Sequence, residues 1–514
     1  MELFVSIRRG EYHDSLELLL ATSILQEKEG IGKANIAMGT ENGFNLFRTL
    51  GIYTPEMSSA GIADLIIAAE ADSRETYDRS VEETFRELSG HREENAMPSC
   101  SSLEDALKMR PDAQVCVLSL PGEYAKDEAM KALKKGLHVV LFSSHIPPED
   151  ELELKRFAAS RGLLCMGPDC GVVNLDGTAF ILSSITRPGP FGLCGATGVG
   201  IQHVGALIDR AGSGVTQIIG TGGADLKVGE GITMLSGIDA LEDDPATEYI
   251  VLVSRKPRDE ILAKVLDRVR QCKKPVVGCF MGADPMVVEA SGAIYASDLD
   301  DAAVKALALI GKTCDLQTEA ELDALAAQAV QGMRKEQKYL RGLFTGGTYM
   351  EEAMRAIVPI AGPVHSNAPL SEDMRLENAL VSVENTCVDV GEDEFTMGKP
   401  HPTMEPSGRR PFIVKEGNDP EVCVLLLDFI FAVSANTDPV GVVLKDIQAA
   451  MERAKVNGGR LAVVASLCGT DSDFQNYAEQ KKKLEQAGVY VCTTNRLAAR
   501  LAAKIAKLQN GGKA

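Results

Sequence analysis

The chain has 514 residues, 45% hydrophobic and 25% charged, with a formal net charge of −20. Its length predicts three or four domains, each able to bury a core. The acidic balance speaks against a nucleic-acid partner, because neutralising phosphates needs clustered Lys and Arg. No run of 18 apolar residues is present, and Arg8, Arg9, Glu11 and Asp14 stand where a signal peptide would be apolar, so a cytoplasmic protein without membrane contact is expected. The twelve cysteines include no Cys-x-x-Cys pair, and Cys116, Cys194 and Cys423 lie in apolar strands, which predicts reduced core residues and no metal site.

In chain order, strands over 3–7, 34–37 and 64–68 with helices over 14–26 and 42–50 predict a small N-terminal α/β unit, 1–90. A charged helix ends near Gly90, and the polar segment 91–102 reads as a linker. Strands over 114–119, 138–142 and 162–165 then alternate with helices over 126–135 and 149–161, a Rossmann-like unit, 103–188, closed by Arg187-Pro188-Gly189-Pro190. A third unit, 189–312, has strands over 191–194, 215–219, 249–253 and 275–280. In the segment 313–338 a polar, Ala-rich helix over 319–338 is expected as a spacer. A fourth unit, 339–510, opens on a strand and the turn Thr345-Gly346-Gly347-Thr348, with later strands over 422–427, 461–465 and 489–492. The third and fourth units read as two versions of one α/β architecture.

The chemistry concentrates where strands end. Gly195-Ala196-Thr197-Gly198-Val199-Gly200 opens a segment whose Ile201, Val204, Leu207 and Ile208 recur at helical spacing. Gly220-Thr221-Gly222-Gly223-Ala224-Asp225 ends the next strand, and Met166-Gly167-Pro168-Asp169-Cys170-Gly171 ends an earlier one. One such turn is as readily tight packing of strand on helix. Several in series, at the strand ends where open parallel sheets bind ligands, point to an anion held by backbone amides and the helix dipole. Gly195, Ala196, Thr197, Gly198, Gly200, Gly222 and Gly223 are the expected phosphate or ligand contacts. Arg255 and Lys256 end the strand over 249–253, where a carboxylate or phosphate contact and an ordinary ion pair are equally plausible.

From about 114 to 310 the sequence resembles the α subunit of succinyl-CoA ligases, and the fourth unit is similar to the carboxyl-terminal domain of their β subunit. Nearly the whole chain resembles the FdrA family, on the motifs already quoted together with Ser254-Arg255-Lys256-Pro257, Phe344-Thr345-Gly346-Gly347-Thr348 and Met397-Gly398-Lys399-Pro400-His401-Pro402. The resemblance implies a Rossmann-like CoA-binding-type domain and two flavodoxin-like succinyl-CoA-synthetase-type domains after the small N-terminal unit. It implies one subunit of a carbamoyltransferase complex, an oligomer in which partner subunits take part. That complex interconverts oxalurate plus phosphate with oxamate plus carbamoyl phosphate in anaerobic allantoin use. No cofactor is required on this reading, and phosphate is a substrate.

Two departures separate the chain from the ligases. Their phosphorylated histidine corresponds to Ala290 in Glu289-Ala290-Ser291-Gly292-Ala293-Ile294, and a methyl group accepts no phosphoryl. Their CoA loop corresponds to Leu120-Pro121-Gly122-Glu123-Tyr124, where Glu123 would face a polyanion, so CoA is disfavoured though left open. The second of the two facing helices of the ligases maps loosely onto 433–437, adding Asn436 and Thr437 to the expected phosphate contacts. His401, in a loop fixed by two prolines, Lys399 and Arg255 are the expected catalytic residues, with Asp169 and Lys256 on the substrate. His203 and Cys170 read as packed or satisfied groups, and Asp389, Glu392, Asp393 and Glu394 as a solvated acidic loop in preference to a magnesium site. An acyl-CoA ligase and a non-catalytic, metabolite-binding scaffold subunit are the alternatives.

Overall fold

The computed structural model describes residues 1–11, 13, 15–90, 100, 102–396 and 400–512. Contacts divide the chain into two units, Met1–Ala113 with Glu394–Pro400, and Gln114–Asp393 with His401–Ala514. The strand Leu65–Ala71 centres the first unit, antiparallel to Glu2–Arg8 on one side and Ile31–Met38 on the other. Because side chains alternate along a strand, Leu65, Ile67, Ala69 and Ala71 meet Leu18, Leu25, Tyr77 and Val81 of the helices Ser15–Gln26 and Arg74–Gly90. Ile66 and Ala68 meet Phe47, Ile52 and Met57 on the opposite face. The central strand is thus apolar at every position but Glu70.

The second unit contains three sheets. Val115–Leu118, His138–Leu141 and Cys165–Met166 form a parallel three-stranded sheet with the helices Gly122–Lys134 and Pro148–Ser160. In the seven-stranded sheet, Pro188–Gly195 lies between Val215–Gly220 and Tyr249–Arg255, all parallel, with Val276–Met281 and Ile294–Tyr295 beyond the latter. The other edge is a hairpin, Val172–Leu175 and Thr178–Ile181, antiparallel to its neighbour. Its two-residue turn is Asp176-Gly177, both at positive φ, a sequence suited to tight hairpins. In the six-stranded parallel sheet, Tyr339–Phe344 lies between Thr386–Asp389 and Val422–Ile430. Val422–Ile430 is buried at all nine positions, as expected of a parallel strand covered on both faces.

The two larger sheets share a core. Ile201, Val204 and Leu207 of the helix Gly198–Arg210 cluster with Tyr349, Met350 and Ala353 of Gly347–Ala361 and with Leu497, Leu501 and Ala502 of Asn495–Gln509. The helix expected over 319–338 is shorter, Glu319–Ala329. A capping box of Thr318 and Glu321 starts it, and the chain has left helical geometry by Gly332, where φ is +84°. It is no free spacer, since Leu322, Ala326 and Ala329 enter the shared core. Among the described residues, no helix is long and apolar enough to cross a membrane.

Candidate anion-binding site

In each of the two larger sheets the chain leaves one strand toward opposite neighbours, and a glycine turn follows that strand. After Pro188–Gly195 the next strand, Val215–Gly220, pairs on one side and Tyr249–Arg255 on the other. After Tyr339–Phe344 the strand Thr386–Asp389 pairs on one side and Val422–Ile430 on the other. Such switch points leave a crevice at the carboxyl ends of the strands. Here the two crevices meet, and Thr197 Oγ1 and Thr348 Oγ1 are hydrogen-bonded at 2.8 Å. The helices Gly198–Arg210 and Gly347–Ala361 thus begin side by side. Thr197 caps the first through Gly200 N at 3.3 Å, whereas no side chain caps the second.

A cavity of about 460 Å³ opens over these helix starts, lined by the two turns, by Gly220, Gly222 and Gly223, and by Arg255 and Lys256. The backbone approaches itself closely here. A Cβ on Gly195 would stand 2.3 Å from both Ile201 Cγ2 and Val253 O, and one on Gly222, where φ is +86°, would stand 2.5 Å from Pro168 O. Only glycine fits either place.

Buried ion pairs fix the turns from below. Lys155, wholly buried, donates to Thr221 O at 3.0 Å and to Asp225 at 2.7 Å and pairs with Glu151 at 2.8 Å, tying the helix Pro148–Ser160 to the turn 220–225. Asp428 accepts from Thr345 N at 3.0 Å and from Thr345 Oγ1 at 2.8 Å. Arg409, buried beside it, pairs with Asp428 at 3.2 Å and donates to Leu343 O at 2.6 Å. Desolvation pushes the Asp428 carboxyl above its ordinary range, and the Arg409 charge opposes that.

Of the residues expected from sequence, Gly195, Ala196, Thr197, Gly198, Gly222, Gly223, Asp169, Arg255 and Lys256 line the cavity. Gly200 lies one turn into its helix, buried beneath Thr197. Asn436 and Thr437 are outside the lining. Their segment packs instead through Val433 N on Ser183 O and Ser434 N on Ile181 O, so the helix start facing the turn 195–198 is Gly347 and not 433–437. His401 is outside the lining too, its Nε2 set against Gly391. Its Nδ1 accepts from Thr403 N at 3.3 Å, and burial pushes its pKa down to about 4, so the imidazole is neutral near pH 7. Lys399 lies outside the described residues.

Sequence reading gave no ligand role to Gly347, Thr348 and Lys227, which line the cavity, and put Glu392, which also lines it, and Asp389, which adjoins it, in a solvated acidic loop. Asp389 does not belong to a solvated acidic loop. It ends a fully buried strand and is 3% exposed. Burial pushes its carboxyl up to about 7, the Gly391 amide and Arg255 opposing, Glu392 and Asp428 adding. His203 is satisfied on both nitrogens, by Tyr349 and by Asp300 at 2.9 Å. Cys170 is a packed thiol pushed up to about 12 by burial.

A CoA-ligase family model matches residues 343–505, and a model described as AllF, heavy metal-associated domain, matches residues 1–102. Subunit alpha 2 of the ADP-forming succinate–CoA ligase of Archaeoglobus fulgidus is 28% identical over 191 residues, covering 36% of this chain and 64% of that one. The ATP citrate lyase from Methanothrix soehngenii, solved with citrate and coenzyme A, aligns at 13% identity with a TM-score of 0.36 over 81% of this chain and 85% of that one, too loose a superposition to build on. Fold and matches together define an α/β protein of the CoA-ligase-like class. Within it, the chain belongs to the family of YahF, the uncharacterized protein of Escherichia coli (strain K12). The two are 36% identical over 503 residues, 96% of this chain and 97% of YahF.

The N-terminal match speaks of heavy metals, and the residues do not suit one. Soft metals are held by thiolates, the sequence has no cysteine before Cys100, and the ring nitrogens of His13 face Glu17 at 3.0 Å and Glu11 at 3.1 Å. Among the described residues no group of His, Cys, Asp and Glu is placed to hold a metal ion.

Proposed function

We propose that the cavity holds phosphate, or the phosphate end of carbamoyl phosphate. The chain then acts in the cytoplasm as a subunit of a carbamoyltransferase complex interconverting oxalurate plus phosphate with oxamate plus carbamoyl phosphate. The observation that most supports this is the meeting of two helix starts across the Thr197–Thr348 hydrogen bond, one of them without a capping side chain. Their amides, pointing into one cavity, suit an oxyanion, and the dipoles of both helices favour negative charge there. In a protein of charge −20, the cavity also gathers Arg255, Lys256 and Lys227. On this reading Arg255, paired with Glu351 at 2.8 Å, polarises the carbamoyl carbonyl, and Lys227 and Lys256, the latter paired with Asp259 at 2.9 Å, meet the carboxylate of the oxamate portion. The allantoin-related N-terminal match accords with this pathway.

Acyl-CoA synthesis is the second reading, favoured by the match over residues 343–505. The residues present suit CoA poorly. The helix Gly122–Lys134 carries Glu123 in its first turn, where a phosphate would approach. Nearby Lys126 is engaged by Asp150 and by Glu153. Ala290 is exposed, lies outside the cavity lining and has no nucleophile to phosphorylate.

Gly198→Asp tests the proposal in the assembled complex. A carboxylate among the cradle amides should abolish phosphate-dependent turnover while the protein stays folded. Unchanged saturation by phosphate would contradict the proposal, and micromolar binding of CoA in calorimetry would favour the second reading.

A further inference from the structure

At the amino end of the helix Gly347–Ala361, two carboxylates and a guanidinium converge on one point. From where a Cβ on Gly347 would stand, Asp389 Oδ2 lies 3.2 Å away, Arg255 Nη2 3.6 Å and Glu392 Oε1 3.9 Å. Gly347, Arg255 and Glu392 line the cavity, so with glycine at 347 no side chain from that residue separates the cavity from Asp389 Oδ2. The other oxygen, Oδ1, is engaged by Gly391 N at 2.8 Å.

The geometry points to Asp389 as the proton-carrying group of this cavity. This rests on the carbamoyl-transfer reading and gives it the step it lacks. When hydrogen phosphate attacks the carbamoyl carbon of oxalurate, one O–C bond forms, one C–N bond breaks, and the phosphate proton must reach the departing amide nitrogen. Asp389 Oδ2 takes that proton from the phosphate and returns it to the nitrogen as oxamate leaves; nothing is oxidised or reduced. A group serves in both directions when its two forms are similarly populated at working pH. Burial places Asp389 there, at about 7.

The charged neighbours come from several elements. Glu392 follows on the same segment, Asp428 lies near the end of Val422–Ile430, beyond the intervening strand Tyr339–Phe344, with Arg409 bound to it, and Arg255 ends a strand of the other sheet with Glu351 bound to it. His401 Nε2 and Asp389 Oδ1 lie 2.6 and 3.1 Å from where a Cβ on Gly391 would stand. With its pKa near 4, His401 stays neutral through the range in which Asp389 titrates.

Calorimetry of sulfate binding to the full-length protein at pH 7, in two buffers of different ionisation enthalpy, separates the possibilities, because sulfate itself does not titrate near neutrality. An anion arriving beside Asp389 strengthens its hold on a proton, so the parent should take up a fraction of a proton per sulfate. Asp389→Asn should bind sulfate and take up none, and turnover in the complex should fall by roughly two to four powers of ten. Asp389→Ser, smaller and able to accept from the Gly391 amide, serves if the asparagine variant does not fold, with the same expectation. Sulfate bound with undiminished proton uptake in either variant would overturn the assignment of Asp389 alone. No sulfate binding to the folded parent would overturn the anion-cradle reading and this step with it.

Discussion

Gly198 shows how finely the cradle can be probed. A Cβ there would meet the Val172 side chain, Cγ2 at 3.2 Å and Cβ at 3.6 Å, a contact a small shift relieves. Gly198→Ala should therefore fold and keep anion binding, the control that separates the charge of Gly198→Asp from its bulk. Arg409 tests the turn from below. Arg409→Met would leave Asp428 buried without its cation, at a cost of about 3–5 kcal/mol in denaturant unfolding. A loss under 1 kcal/mol would mean that Asp428 is held by the Thr345 contacts alone. Legibility at this scale follows backbone against burial. The glycines of the turns, and Arg255 and Lys256 at a strand end, were readable because turns and strand ends leave local marks. Asp389 was not, because it begins an acidic run whose composition matches a solvated loop, and only the sheet reveals that the first residue points inward while Glu392 reaches the cavity.

Among elements, the long parallel strands were legible as apolar runs, and their glycine turns with them. The helix pairing was not. The resemblance alone put the segment 433–437 opposite the turn 195–198; the switch point beside Tyr339–Phe344 and the Thr197–Thr348 hydrogen bond put Gly347 there, a relation of strand order that no local pattern carries. Short edge strands such as His365–Ser366 and Ile294–Tyr295 have too few residues to show a period. The Asp176-Gly177 hairpin did carry a readable signal, in the dipeptide itself. The end of the helix Glu319–Ala329 was misplaced because the polar run 334–338 suits a helix by composition, whereas Gly332, at φ +84°, has already turned the chain.

For the molecule as a whole, the shared core makes the two larger sheets one folding unit, and a buried polar network crosses it. His203 meets Asp300 and Tyr349, Asp300 also accepts from Thr494 and Arg496, and Asn495 donates to Glu352 at 2.8 Å. Burial pushes Glu352 up to about 8, nearby Asp300 adding, against an ordinary 4.5. Between those values the folded protein keeps a proton the unfolded chain has released, so this group makes stability fall as pH rises from about 4.5 to about 8 and level off beyond. Glu352→Gln removes that slope. Relative to the parent it should gain up to a few kcal/mol between pH 5 and pH 8, read as unfolding midpoints at the two pH values. A difference independent of pH would show that Glu352 titrates normally. The central claim, that two helix starts form one oxyanion site, is tested most directly by a crystal structure of the protein grown with phosphate. The account predicts phosphate density bonded to amides of the turn 195–198 and of Gly347 and Thr348, with Arg255 beside it. Phosphate bound elsewhere, with the cavity holding only water at saturating concentration, would contradict it.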